Sequence, residues 1–106
     1  MNEQVMQILK RAMNSEDIDK ILIVDRRQTA LTIHKPPFGE AGYKLRFSRD
    51  TIICTLFPDR IDLHPDGAII GYSQNRCIAC ITIEDIKLIQ GISGIETLMQ
   101  WGTVRS

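Results

Sequence analysis

The sequence predicts an α+β fold: an N-terminal helix, an antiparallel β-sheet of about seven strands built from a hairpin and a meander, and a C-terminal helix bent or broken near Gly91–Gly94. Three observations predict it. Residues 3–13 repeat apolar side chains at helical spacing, residues 43–83 alternate apolar and polar side chains in short runs, and turn-forming residues punctuate those runs at near-regular intervals. At 106 residues, with no linker or low-complexity tract dividing it, the chain reads as a single domain, 1–106.

The first element carries Val5, Ile8, Leu9 and Ala12 on one face; Asn2 caps its start and Asn14-Ser15 stops it. Lys20 to Asp25 is apolar on both faces, the pattern of a covered strand. Asp25-Arg26-Arg27-Gln28 turns the chain into Thr29–Lys35, which Pro36-Pro37 ends because proline has no amide proton for a ladder. Residues 38–42 form the one substantial loop.

In the meander, a two-residue turn at Arg49-Asp50 sets Phe47 against Ile52, Leu45 against Cys54 and Tyr43 against Leu56, with all six on one face. A turn at Pro58-Asp59 then sets Leu56 against Ile61 and Cys54 against Leu63. Pro65-Asp66-Gly67, a type I turn closed by a left-handed glycine, sets Leu63 against Ile69. The last strand, residues 76–83, follows a Ser-Gln-Asn turn. Thr82 and Asp85 have capping-box spacing before a helix bearing Ile86 and Ile89, and Ser93 with Glu96 caps a second turn of helix bearing Ile95, Leu98 and Met99.

This register leaves a mixed second face: Lys44, Arg46, Ile53, Thr55, Phe57, Arg60, Asp62, His64, Ile70 and Tyr72. The final strand is apolar on both sides, more than two helical segments can cover. Three coverings compete: the sheet curls into a barrel, a second copy packs on it, or another protein or ligand does.

Composition narrows the function. Net charge is zero, which removes a global attraction to nucleic acid. No window approaches the roughly 20 apolar residues of a membrane helix. The N-terminus lacks a secretion signal's basic start and apolar core, and three cysteines, an odd number in apolar contexts, suit a reducing compartment; a cytoplasmic location is expected.

Cys77-Ile78-Ala79-Cys80 has redox or zinc half-motif spacing, but it falls on a strand, where residues three apart face opposite ways, and no second pair completes a zinc site. These cysteines are read as small buried hydrophobes, and no metal or cofactor is expected. Asp62 and His64 share a strand face, and in a pocket they would serve a small enzyme or a small-molecule binder. Arg26, Arg27, Lys44 and Arg46 are the residues of a nucleic-acid-binding alternative.

No coherent catalytic set emerges. The leading expectation is a non-catalytic protein–protein interaction module, self-associating as a homodimer, with Phe38, Phe57, Ile70 and Tyr72 as its anchors.

Overall fold

The computed structural model describes residues 3–39, 42–82, 84–93 and 97–103, of which 37–39, 93 and 97–103 through their backbone alone. Helix α1 (Glu3–Asn14) buries Val5, Met6, Leu9 and Ala12, while Ile8 is only partly covered. The buried stripe is thus turned slightly toward Met6 from the expected face. Beyond the helix, Ile18 anchors the connection in the core.

Nine strands follow among the described residues: β1 (Lys20–Asp25), β2 (Ala30–Gly39), β3 (Gly42–Arg49), β4 (Ile52–Leu56), β5 (Arg60–Leu63), β6 (Ala68–Ser73), β7 (Arg76–Thr82), β8 (Ile86–Ser93) and β9 (Thr97–Thr103). They form a six-stranded sheet in the order β4-β3-β2-β1-β8-β9 and a three-stranded sheet in the order β5-β6-β7, antiparallel throughout. One side of the large sheet carries Ile21, Ile23, Leu31, Ile33, Leu45 and Ile89, all buried. They meet Val5, Leu9 and Ala12 of α1 and Ile69 of the small sheet in one cluster. Helix and small sheet therefore cover the same face, and the other face of the large sheet is half-exposed along β1, β2 and β8.

The first hairpin forms as its sequence predicts. The Asp25 carboxylate, 2% exposed, accepts hydrogen bonds from the Arg27 and Thr29 amides at 2.9 and 2.7 Å, closing the turn, and Gln28 takes a left-handed φ of 64°. Strand β2 runs past the prolines to Gly39, beyond its expected end, although its ladder with β3 breaks between His34 and Gly39. Within the loop expected at 38–42, Phe38 and Gly39 belong to β2 and Gly42 to β3, with Gly39 paired to Gly42, and Glu40 and Ala41 lie outside the described residues.

The β3–β4 turn falls at Asp50-Thr51 and not at Arg49-Asp50: Arg49 pairs with Ile52, Phe47 with Cys54 and Leu45 with Leu56. Asp50 adopts φ 53°, a left-handed conformation that a short polar side chain tolerates better than arginine does. The slip moves each partner by two residues, so every side chain keeps its expected face. The Pro65-Asp66-Gly67 turn matches expectation, with Gly67 at φ 95° and Leu63 opposite Ile69.

Two expectations are corrected. The meander does not continue from β4 to β5. Pro58, fully buried, hands the chain from one sheet to the other: its carbonyl accepts the Tyr43 amide at 2.9 Å, and the Asp59 amide bonds to the Tyr72 carbonyl at 2.8 Å. Leu56 and Cys54 consequently have no partner in Ile61 or Leu63.

The C-terminal helix is instead the β8–β9 hairpin. Its false signal has a physical source. Val24 pairs with Leu88 but Asp25 with Ile86, so β8 carries a bulge around Lys87. The extra residue puts Ile86 and Ile89 on one face, both buried, at the three-residue spacing that mimics a helix. Asp85, expected inside a helix cap, sits at φ 55° with its carbonyl accepting the Arg26 amide at 3.0 Å. Ile83, Gly94, Ile95 and Glu96 lie outside the described residues.

Candidate functional site

The exposed apolar surface collects on β4 and just after it. Ile52 is 62% exposed, Ile53 60% and Phe57 65%. Cys54 and Thr55 are exposed as well, so β4 is open on both faces except for half-buried Leu56. It is an edge strand of the large sheet. Between it and β7 runs a groove of about 380 Å³, walled by Leu45, Phe47, Cys54 and Leu56 on one side and Ala79 and Ile81 on the other.

Ile70 and Tyr72, expected as anchors, are half-buried on the outward face of the small sheet, and Arg60 lies over the Tyr72 ring at 4.3 Å. Ile81 turns inward against the core. The side chain of Phe38 lies outside the described residues. Of the expected anchors whose side chains are described, Phe57 is the one left open, and it is joined by Ile52 and Ile53. The alternation places Ile52 on the covered face, but that cover ends before the sheet edge and leaves Ile52 exposed. The signal was the uncharged run Thr51–Pro58, which no interior strand needs and no blunted edge has.

The cysteines depart from expectation. Cys54, Cys77 and Cys80 are all exposed free thiols. A bulge at Ile78 pairs Cys77 with Tyr72 and Cys80 with Ile70, which places both thiols on one face in spite of their spacing. They stand outward on β7, an edge strand of the small sheet. Among the described residues, no three metal-binding side chains cluster.

Asp62 and His64 do come together, on the wall of a second cavity of about 520 Å³ between the end of α1 and β5, beside Lys10, Asn14 and Tyr43. Asp62 is held by Arg60 at 3.6 Å. The opening is broad, and among the described residues no buried nucleophile or base lines it.

The expected basic set divides. Lys44 and Arg46 lie on the uncovered face of the large sheet, whereas Arg26 and Arg27 sit in the β1–β2 turn at the other end of β1. What the sequence did not reveal is that Lys20, His34 and Lys44 stand in one row across three strands, with Arg46 on the same face of β3. Burial first, then Lys20, Lys44 and Arg46, push the His34 pKa below its ordinary value. The six strands contain one carboxylate, Asp25, and it faces the core. The strand residues of the open face therefore include no acidic side chain.

Lys35 does not add to the basic surface: it is buried, and its ammonium donates to the carbonyls of Ala12 and Ser15, the latter at 2.7 Å. Burial lowers its pKa, partly offset by Asp19.

Compared with protein-family models, curated proteins and solved structures, the chain matches none. Among the described residues, no helix is long and apolar enough to cross a membrane.

Proposed function

We propose that the protein is a non-catalytic interaction module that binds a macromolecule along the β4 edge, with Ile52, Ile53 and Phe57 as its principal contacts. One observation carries this reading: three large apolar side chains, each at least 60% exposed, lie together on an uncharged sheet edge. Such edges are templates for added strands, and the apolar side chains supply the burial that main-chain hydrogen bonds alone do not. The exposed, unpaired thiols suit a reducing, cytoplasmic setting.

The test compares the wild-type chain with an Ile53→Lys/Phe57→Ser double variant, reading self-association by light scattering and partner retention by affinity capture. The variant is expected to lose the assembly while its thermal midpoint stays close to wild type, since both side chains point into solvent. The same mass and the same captured proteins for both chains would refute the reading.

A second reading, a small nucleic-acid-binding regulator, is favoured by the acid-free face bearing Lys20, His34, Lys44 and Arg46. Like charges set side by side in a sheet cost stability, so a polyanion laid across them would relieve a repulsion as well as form contacts.

A further inference from the structure

We infer that the partner at β4 is a second copy of this chain, joined edge to edge about a two-fold axis that passes beside Cys54. The inference rests on the interaction-module reading and specifies its partner and register.

The hydrogen-bonding phase of β4 is determined by its neighbours. The Tyr43 amide donates to the Pro58 carbonyl, and the same register runs on through Leu45–Leu56, Phe47–Cys54 and Arg49–Ile52. In an antiparallel ladder these alternate residues exchange both of their main-chain hydrogen bonds. Ile52, Cys54 and Leu56 thus bond inward to β3. The N–H and C=O groups of Ile53 and Thr55 point outward, and among the described residues no strand lies beyond them.

Natural sheet edges are blunted by charge, shortness or bulges. Strand β5 is four residues long and carries Arg60 and Asp62; β7 is bulged at Ile78; β9 is bulged against β8 between Gly102 and Gln100. Strand β4 has none of these devices. It is flat in register against β3, and no charged residue occurs from Thr51 to Pro58. An edge left unguarded when the other three are guarded is an edge with a use.

The sequence of β4 fits its own reverse. Antiparallel self-pairing that overlaps all five residues centres on Cys54, setting Ile53 opposite the partner's Thr55 and Ile52 opposite the partner's Leu56. The residues whose main-chain groups point outward are then the ones that exchange hydrogen bonds, so phase and register agree. The contact is isologous and closes on itself, whereas pairing β4 with the β7 edge of another copy would propagate without end. In the closed arrangement Cys54 faces the partner's Cys54 as a non-hydrogen-bonded pair, with Cα atoms about 4.5 Å apart, inside the range that a disulfide can span.

This yields a site-specific test. Mild oxidation with diamide, which takes up the two thiol hydrogens as the S–S bond forms, should cross-link the wild-type chain into a dimer seen on a non-reducing gel. A Cys77→Ser/Cys80→Ser variant should cross-link equally well, and Cys54→Ser not at all. Thr55→Pro removes one outward amide and nothing from the β3–β4 ladder; Ile53→Lys adds a charge at the contact. Light scattering should find both variants monomeric where the wild type is dimeric, with native circular dichroism. A wild-type chain that is monomeric at its highest soluble concentration overturns the inference, and if it still captures another protein in an Ile53-dependent way the module reading survives with a different partner. A dimer that forms without cross-linking through Cys54 overturns the two-fold register and leaves β4 association intact.

Discussion

Lys35 shows how one residue can tie two elements together. It lies on the core-facing side of β2, where a lysine is out of place, yet its ammonium reaches the carbonyls of Ala12 and Ser15 at the end of α1. The Ala12 carbonyl lies in the last turn of α1 and the Ser15 carbonyl just past it, each otherwise accepting only a long backbone amide bond of 3.4 Å among the described residues, and a cation there also complements the helix dipole. Lys35→Met keeps the bulk and removes the donor. It is expected to cost about 1–3 kcal/mol in urea unfolding and to speed amide exchange in the last turn of α1. His34, one residue earlier and on the opposite face, has its protonation disfavoured first by burial and then by the charges of Lys20, Lys44 and Arg46. Its folded pKa is depressed below the unfolded value of about 6.5, so between the two values the unfolded chain binds more protons. Stability therefore falls as pH drops from about 6.5 through the folded pKa. His34→Gln should flatten that portion of the urea-midpoint profile; an unchanged slope would show that His34 is not its source.

At the scale of elements, bulges and crossovers decide what periodicity cannot. The extra residue in β8 gives Ile86 and Ile89 helical spacing on a strand, and the one in β7 brings Cys77 and Cys80 to one face. In both cases the face on which a residue falls is set by a bulge against a pairing strand and departs from the local period. The crossover after β4 has a clearer signature. Pro58 is flanked in space by two glycines: a Cβ on Gly42 would sit 2.7 Å from the Pro58 carbonyl oxygen, and one on Gly71 would sit 3.2 Å from the Pro58 ring. Glycine within a strand often marks such a close backbone approach. Gly42→Ala must push main chain away from main chain, at an expected cost of about 1–3 kcal/mol, measurable as a lowered denaturation midpoint. Retained stability in that variant would mean that the two sheets can slide apart at Pro58 without penalty.

At the scale of the molecule, the fold spends its helix and its small sheet on one side of the large sheet and leaves the other side open. That side gathers Lys20, His34, Lys44 and Arg46 without a carboxylate, and the β4 edge borders it. Two-fold pairing at β4 would join two such faces into one continuous surface. If polyanions bind there, affinity for single-stranded DNA should fall steeply with salt, and Lys20→Ala/Lys44→Ala should lessen the log–log slope by about 1.4, at about 0.7 per phosphate contact. No retention of DNA at low ionic strength would end that reading.

The amino-acid order by itself determined α1, the first hairpin and its Asp25 turn, the faces of β3 and β4, and the β5–β6 turn with its register. Each is settled by contacts within a few residues: a buried helical stripe, an alternation, a turn residue that tolerates a left-handed backbone. Only the tertiary structure decided that the meander splits at Pro58, that the C-terminal segment is a hairpin, that Lys35 turns inward, and that Lys20, His34 and Lys44 form a row. Those outcomes depend on which strand lies beside which, and pairing across long loops is chosen by the burial of the whole core, a quantity that no local stretch of sequence contains.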